Sequence, residues 1–321
     1  MSDDWRPSAA LPALQLRARL LDLCRDFFRA RKVLEVETPL LVSHTVSDVQ
    51  IQSLRLSDGL RYLHTSPEYA MKRLLAAGSG DIFQICKVFR AGERSALHNP
   101  EFTMVEWYRQ GLDLTGIMAE TAALVATLLN GLWQGASSPV DTLSYRDAFQ
   151  RELGLDPLRA PQATLANACE VHGLAAQSIR GAGRDELLDF LVATVIGPRL
   201  GRHQLTCLHH YPASQAALAE LDGTDPDTAL RFELYAHGIE LANGYVELAD
   251  SAEQARRFTL DASGRAMRGL AAVQPDERLL AALKHGLPPC AGVALGFDRV
   301  AMLAAGATRI DEVLAFPWGN A

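Results

Sequence analysis

The chain has 321 residues, of which 48% are hydrophobic and 21% are charged, an ordinary composition for a globular protein with a large core. Its net charge of -7 argues against a protein that binds nucleic acid mainly by neutralising phosphates. The N-terminal sequence has no apolar signal core, and no run of roughly 18 uncharged apolar residues predicts a membrane helix. Five scattered cysteines without a C-x-x-C pair indicate reduced thiols in the cytoplasm.

The first predicted elements are a helix, a strand and a further strand followed by a helix. Apolar residues recur near the helical period over residues 11–33, which predicts a helix. Val and Leu alternate with Glu over residues 33–41, which predicts a strand. Residues 61–78 predict a short strand, a turn at Ser66-Pro67 and a helix.

The remainder of the chain predicts further strands around a mainly helical region. The patterns indicate strands at 81–90, 100–108 and 203–212, a hairpin at 232–248, and a strand that enters a helix at 292–306. The strands are expected to form antiparallel groups, and the helices occur in stretches separate from them. We therefore predict an α+β fold in which an antiparallel β-sheet is flanked by helices.

One strand carries side chains that suit a ligand. In "PEFTMVEWY", side chains alternate between the two faces of the strand, so that four of them share one face: Phe102, Met104, Glu106 and Tyr108. An aromatic ring, an acid and a phenol on one face suit a ligand with a flat ring and an ammonium group. The alternative is a core Phe and Met beside a solvated Glu, and this strand alone leaves both interpretations open.

The predicted hairpin adds two carboxylates. A two-residue turn at His237-Gly238 would pair Tyr235 with Glu240 and place Glu233 diagonal to Glu240 on the same face. Converging carboxylates repel one another unless a cation lies between them, and hard oxygen ligands beside a nucleotide suggest Mg²⁺. Two exposed acids are the alternative on hairpin geometry alone.

Glu247 lies further along the second strand of this hairpin, and regular alternation of side chains would place it on the face opposite to Glu240. A β-bulge at Asn243-Gly244 would return Glu247 to the face of Glu240. The assignment of Glu247 to this face therefore depends on a bulge.

A third segment, "GVALGFDR", combines small residues with a charged pair. Gly292, Ala294 and Gly296 leave room for a ligand or another backbone to approach. Asp298 can cap the following helix, and Arg299 lies in its first turn, where a positive charge is unfavourable to the helix dipole. A residue placed against its local preference indicates function, although small-residue strands also occur for packing.

Together these segments resemble the signature motifs of class II aminoacyl-tRNA synthetases. The helix and strand ending in "VETP" are similar to motif 1 (about 16–41), and "FRAGER" with "HNPEFTMVEWY" is similar to motif 2 (about 88–108). "GVALGFDR" is similar to motif 3 (about 290–306), and a mainly helical insertion is expected at about 113–200. The resemblance implies a single catalytic domain, residues 1–321, without an anticodon-binding domain.

The lysyl-tRNA synthetase type is indicated by "TSPEYAMKRLL", "HNPEFTMVEWY" and "ELANGYVEL". Within that type, so short a chain resembles the bacterial enzymes that modify elongation factor P. The resemblance implies ATP- and Mg²⁺-dependent activation of (R)-β-lysine and its transfer to a lysine of elongation factor P. It also implies a cytoplasmic homodimer through motif 1, with neither tRNA nor a membrane as partner. An enzyme that charges a tRNA, and a non-catalytic paralogue acting as a regulatory binding module, are the alternatives.

The resemblance also implies roles for individual residues. Arg90 would hold the substrate carboxylate and the α-phosphate, and Arg299 would cover the adenine and reach the γ-phosphate, which makes both the expected catalytic residues. Glu233 and Glu240 would hold Mg²⁺. The residues implied to bind ATP are Arg90, Gly92, Glu93, His98, Asn99, Phe102, Glu240, Leu241, Gly296 and Arg299. The residues implied to bind the amino acid are Ser66, Pro67, Glu68, Glu106, Tyr108, Asn243, Glu247 and Ala294.

Two segments depart from the lysyl-tRNA synthetase pattern. Ala91-Gly92 stands in place of an Asn-Glu pair, so that the acid expected at the adenine edge is lost or displaced to Glu93. Ala294 stands in place of a motif 3 glycine, and its methyl group could reject α-lysine from the amino-acid pocket. This difference is compatible with a β-amino acid as substrate.

Overall fold

An eight-stranded sheet organises the chain, which the computed structural model describes from residue 5 to residue 321. The α-helices are α1 (Leu11–Ala30), α2 (Glu68–Ala76), α3 (Leu114–Leu128), α4 (Tyr145–Leu153), α5 (Gln162–Val171), α6 (Ala176–Gly181), α7 (Arg184–Leu191), α8 (Ser251–Met267), α9 (Glu277–Gly286) and α10 (Phe297–Ala305). The strands are β1 (Leu34–Glu35), β2 (Leu41–Val42), β3 (Leu54–Arg55), β4 (Tyr62–Leu63), β5 (Ile82–Phe89), β6 (Glu101–Gln110), β7 (Asp141–Ser144), β8 (Thr206–Pro212), β9 (Thr228–Ala236), β10 (Ile239–Val246) and β11 (Cys290–Gly296).

The central strands of this sheet run antiparallel to their neighbours. The strand order is β1-β5-β6-β11-β10-β9-β8-β7, and the edge pairs, β1 with β5 and β7 with β8, are parallel. A smaller sheet has the order β2-β4-β3. The predicted α+β class is confirmed, with the correction that the large sheet is mixed at its edges.

Alternation along β6 separates the hydrophobic core from a cavity. Val105 and Trp107 lie in the main core, where α1, α3 and α10 cover one face of the sheet. Phe28 of α1 stacks on Phe83 with ring centroids 4.4 Å apart and lies 5.4 Å from the Trp107 ring. The side chains of opposite parity line the cavity, as predicted: Phe102, Met104, Glu106 and Tyr108.

The start of α10 corrects one prediction. Asp298 does not cap its own helix, because Gly296 is the N-cap residue and the Asp298 carboxylate is buried against other elements. Asp298 Oδ2 accepts a hydrogen bond from the backbone N–H of Thr103 at 2.8 Å, and Oδ1 forms an ion pair with Arg17. Arg17 Nη2 donates to Thr103 Oγ1 at 2.7 Å. The carboxylate therefore joins α1, β6 and α10, which belong to the three sequence motifs.

Residues 33–41 do not form the continuous strand that their alternation predicts. The two residues of β1 pair with β5 in the large sheet, whereas β2 begins at Leu41 and belongs to the small sheet. Pro39 lies between them and cannot donate to a strand ladder, which explains the interruption. Helices α8 and α9 lie in a stretch for which the sequence pattern made no prediction.

The region 113–200 is mainly helical, as predicted, and much of it packs around a core of its own. Tyr145 and Phe149 of α4 stack with ring centroids 4.8 Å apart, and they pack with Leu187 and Leu191 of α7. Helix α4 also contacts β8, so that this core lies at one edge of the large sheet. In the part of the chain that the structure describes, no helix has the length and apolar character needed to cross a membrane.

Candidate active site

A cavity of about 850 Å³ opens on the face of the sheet opposite to α1, α3 and α10. It extends over β6, β11, β10 and β9 and is bordered by α2, α7 and α8. The residues that the sequence assigns to ATP, the amino acid and Mg²⁺ line it, with two exceptions. Pro67 follows Ser66 and is the N-cap residue of α2, and Gly92 lies in the loop between β5 and β6 with a φ of 80°. The structure therefore brings together one site from distant parts of the chain.

At one end of the cavity, two hydroxyl groups orient Glu106. Tyr108 Oη donates to Glu106 Oε1 and Ser66 Oγ donates to Oε2, each at 2.8 Å. Ser66 Oγ also accepts from the backbone N–H of Glu68 at the start of α2. Burial and the nearby charge of Glu68 raise the pKa of Glu106 to about 8. A cation bound here would stabilise the ionised carboxylate, which is already oriented.

A buried lysine that the sequence analysis did not assign lies between two of the predicted carboxylates. Lys72 Nζ is 2.7 Å from Glu68 Oε1 and 2.6 Å from Glu247 Oε2, and its side chain is 1% exposed. Tyr245, also unassigned, donates its hydroxyl to Glu68 Oε1 at 2.7 Å. Burial lowers the pKa of Lys72, but the two carboxylates outweigh burial and raise it. Two features of the sequence could have identified these residues. Lys72 follows Glu68 at the i,i+4 spacing of a helix, and Tyr245 lies two residues after Asn243 on the same face of a strand.

Glu247 is buried with one oxygen free for a ligand. Oε2 lies in an ion pair with Lys72, whereas Oε1 has neither an ion-pair nor a hydrogen-bond partner among residues 5–321. A Cβ atom at Gly292 would lie 2.3 Å from Glu247 Oε1 and 2.5 Å from Tyr108 Cε1, so glycine is required for both side chains to fit. Burial raises the pKa of Glu247 to about 8 despite Lys72, and Glu68 adds to the effect. An unpaired buried carboxylate oxygen suits an ammonium group of a ligand.

The hairpin of β9 and β10 confirms the predicted pairing and corrects the position of the bulge. Glu240 pairs with Tyr235 across the predicted two-residue turn. The register shifts directly after Glu240, so that Leu241 is the extra residue, and the prediction of a bulge at Asn243-Gly244 is wrong. Leu241 is buried in the main core, which fixes the bulge there. A shift at either position returns Glu247 to the cavity, which it lines.

Glu233 and Glu240 lie in electrostatic contact in the same part of the cavity. Burial and the charge of Glu240 raise the pKa of Glu233. Arg231, which the sequence analysis missed, donates to Glu233 Oε1 at 2.7 Å, and Tyr235 Oη donates to Oε2 at 2.6 Å. Glu240 Oε2 lies 3.5 Å from Arg299 Nη1. Two carboxylates in the same part of a cavity fit Mg²⁺, which proteins bind with one or two carboxylates together with substrate phosphates.

The two predicted catalytic arginines border the same cavity. The guanidinium carbon of Arg90 lies 5.3 Å from the centre of the Phe102 ring, and its Nη1 is 3.7 Å from Glu93 Oε1. Arg299 Nη1 donates to the backbone carbonyl of Glu240 at 2.8 Å. Guanidinium groups suit phosphates and carboxylates, and an aromatic ring that lines the cavity suits a planar base.

Arg299 is also linked to the loop that carries His98. Arg299 Nη2 donates to His98 Nε2, and His98 Nδ1 donates to Ser95 Oγ at 2.7 Å. Burial and Arg299 lower the pKa of His98, which keeps the ring neutral with Nε2 as the acceptor. Asn99 already makes hydrogen bonds within the chain, because its Oδ1 accepts from the backbone N–H of Trp318 and its Nδ2 donates to a backbone carbonyl. Its contact with a nucleotide stays a prediction.

Known proteins resemble the chain over almost its whole length. Residues 4–320 match the family model of class II tRNA synthetases (D, K and N). The chain is 48% identical to an elongation factor P–(R)-β-lysine ligase of Pseudoalteromonas translucida, over 97% of each chain. Proteins of the same name from Mannheimia succiniciproducens and Pectobacterium carotovorum are 46% and 47% identical, over at least 97% of each chain. The chain therefore belongs to the class II tRNA synthetases (D, K and N).

Proposed function

We propose that this ATP-dependent ligase activates (R)-β-lysine as an adenylate and transfers it to a lysine side chain of elongation factor P. The proposal rests on one observation: a single cavity joins a buried pocket of three carboxylates to a region with two arginines and a carboxylate pair. The ammonium groups of a diamino acid need the carboxylates of the pocket. A triphosphate with its metal needs the arginines and the carboxylate pair of the region beside it. The printed names of the similar ligases support the choice of amino acid and acceptor.

The first step would form the adenylate. A carboxylate oxygen of the substrate attacks the α-phosphorus of ATP, the bond to the bridging oxygen breaks, and pyrophosphate leaves. Arg90 would hold the carboxylate and the α-phosphate, and Arg299 the γ-phosphate, where bidentate guanidinium contacts stabilise the developing charge. Phe102 would stack on the adenine. Glu233 and Glu240 would hold Mg²⁺, which neutralises phosphate charge when bound.

The amino acid would be positioned by its ammonium groups. Glu106 and the free Oε1 of Glu247 would bind the distal ammonium, and Glu68 would bind the other amine. The Tyr108 hydroxyl would stay on Glu106, where it already donates. Because no residue forms a covalent intermediate, the chain contributes orientation and electrostatic stabilisation.

The second step would transfer the β-lysyl group. The neutral ε-amine of the acceptor lysine attacks the carbonyl carbon of the adenylate, AMP leaves, and the amine loses a proton. The enzyme would act in the cytoplasm, where its free cysteines remain reduced. It would form a homodimer through motif 1, and the 55%, 39% and 40% exposure of Leu34, Leu40 and Leu41 supports an apolar contact there.

Isotope exchange between ATP and pyrophosphate tests the activation step. We expect exchange with (R)-β-lysine in the absence of RNA, at a higher rate than with α-lysine or (S)-β-lysine. Arg299→Ala and Glu240→Gln should each lower the rate by about 10²–10³, since one preorganised electrostatic group contributes that much. Arg29→Ala, which removes an exposed arginine of α1, is the matched control. Wild-type exchange in the Arg299 variant would overturn the assignment of the ATP site.

A second experiment tests the acceptor. Labelled (R)-β-lysine should become attached to purified elongation factor P and not to bulk tRNA, because a chain with a net charge of -7 lacks the excess of cations that holds nucleic acid. Efficient charging of tRNA at physiological salt would instead favour the tRNA-charging alternative. Adenylate formation without transfer to either acceptor would refute elongation factor P as the partner.

A further inference from the structure

Lys72 lies behind the wall of the amino-acid pocket. Glu68 and Glu247 line the cavity, whereas Lys72 does not, and its ammonium contacts both carboxylates at 2.7 and 2.6 Å. It also lies 5.6 Å from the centre of the Tyr245 ring. The side chains of Lys72 and Glu247 are each 1% exposed. A charge so fully removed from water requires compensating partners, and here both partners belong to the site.

The position of the ammonium determines which carboxylate oxygen atoms already have a cationic partner. Lys72 forms an ion pair with Glu247 Oε2, and Oε1 is left with neither an ion-pair nor a hydrogen-bond partner among the described residues. It also shares Glu68 Oε1 with the Tyr245 hydroxyl. Lys72 therefore orients two carboxylates that come from different elements, α2 and the segment that follows β10.

The same ammonium sets the charge that the pocket offers. Three buried carboxylates, Glu68, Glu106 and Glu247, lie around the amino-acid end of the cavity. When a bound cation keeps all three ionised and one of them is balanced by Lys72, full neutralisation needs two further positive charges. Two is the number of ammonium groups on a diamino acid whose own carboxylate lies at Arg90.

We propose that Lys72 is a positioning residue that makes the pocket specific for a substrate with two ammonium groups, because it orients Glu68 and Glu247 and balances one carboxylate. This inference rests on the proposed function, since it assumes that the carboxylate pocket holds the amino acid. Lys72 itself would not contact the substrate.

Lys72→Met separates charge from packing. Methionine has nearly the same length and packs well in apolar surroundings, so a lysine that only fills space could be replaced with little effect. If charge matters, the variant leaves Glu247 without a partner among the described residues and Glu68 with the Tyr245 hydroxyl in place of a cation. We then expect the KM for (R)-β-lysine to rise by about 10² or more while the KM for ATP stays nearly unchanged.

Chemical rescue provides a test that a purely structural role does not predict. Lys72→Ala removes the three outer methylene groups and the ammonium, which together correspond to n-propylammonium. Added n-propylammonium should raise the kcat/KM of Lys72→Ala for (R)-β-lysine at least about tenfold. Added n-propanol, which has a similar volume without charge, should not raise it. The same amine should not activate the wild-type enzyme. Lys87→Ala, which removes an exposed lysine beside Glu101, is the matched control.

Calorimetric binding without ATP distinguishes this inference from the proposed function. The wild-type chain should bind (R)-β-lysine more tightly than 6-aminohexanoate, which has one ammonium group, and Lys72→Met should lose that preference. A preserved preference in Lys72→Met, or equal rescue by n-propanol, would overturn the inference. Diamine preference without isotope exchange in the wild type would count against the proposed function alone.

Discussion

Burial gives the carboxyl groups of Glu106 and Glu247 unusually high pKa values. Burial raises the pKa of each to about 8, so that below this pH the neutral carboxyl predominates. An ammonium group stabilises the ionised carboxylate and not the neutral one. Binding of the lysine isomer must therefore lower both pKa values and release protons near neutral pH.

We expect this proton release to be measurable by calorimetric titration at pH 7 in buffers of different ionisation enthalpy. The affinity for the lysine isomer should increase between about pH 6 and pH 8 and then level off, because the carboxyl groups are already ionised above their pKa. Glu106→Gln removes one titrating group and should reduce the number of protons released. An affinity that is independent of pH over this range would contradict the assignment.

Strand alternation predicted which carboxylates line the pocket but not how their charges are balanced. Parity is a local property, and it correctly placed Glu106 on the cavity face of β6. Lys72 was missed because its partner Glu247 is distant in sequence and meets it only in the folded chain. The i,i+4 spacing to Glu68 indicates a pair on a helix surface, and tertiary packing alone turns that pair into a buried one.

At the scale of elements, the close packing of β11 between β6 and β10 depends on Gly292. A methyl group at this position would lie 2.3 Å from Glu247 Oε1 and 2.5 Å from Tyr108 Cε1. Gly292→Ala should therefore displace both side chains from the ammonium site. Overpacking of this kind costs about 1–3 kcal/mol, which corresponds to roughly 10–10² in affinity for the lysine isomer.

Gly296→Ala is the matched control on the same strand. A Cβ atom there would have no neighbour nearer than 3.8 Å, at Arg299 Cδ and the carbonyl of Leu241. Affinity for the lysine isomer in this variant should stay within about twofold of wild type, since nothing must move. Equal affinities of the two variants for the lysine isomer would mean that the side chains beside Gly292 rearrange freely.

Elements with strong periodicity were predicted well, and those shaped by single residues were not. The strands of motif 2 and the hairpin appear where alternation placed them. The bulge was misplaced because its position follows from the burial of Leu241, which parity does not reveal. Helix α8 has few apolar residues in register, whereas Leu279 and Leu283 of α9 lie four residues apart on its buried face. Asp250 and Asp276 cap the two helices, so both helices had a sequence signal that the sequence analysis did not use.

At the scale of the whole molecule, the strand order was not available from local patterns. β6 and β11 are neighbours in the sheet although the helical insertion and the hairpin separate them along the chain. The resemblance of the three motifs to a known family predicted their assembly, and periodicity did not. The pair of Arg17 and Asp298 is the contact that joins all three, because it links α1, β6 and α10.

Asp298→Ala is expected to destabilise the entire fold. It leaves the Arg17 guanidinium without its carboxylate and the backbone N–H of Thr103 without its acceptor. The two side chains of the ion pair are 15% and 2% exposed, and removal of one partner from so enclosed a pair costs about 3–5 kcal/mol. Urea denaturation should show a lower midpoint with an unchanged slope.

Arg25 and Glu35 offer a matched comparison, since Arg25 lies on the same helix as Arg17 but the side chains are 38% and 42% exposed. Glu35→Ala should change the free energy of unfolding by at most about 1 kcal/mol, because water solvates both charges. An equal cost for both variants would show that burial of the Arg17 pair is unimportant. The double variant Arg17→Met/Asp298→Ala should be more stable than Asp298→Ala, because it removes the unpaired buried charge. If it is not, the lost stability comes from the Thr103 hydrogen bond and not from the ion pair.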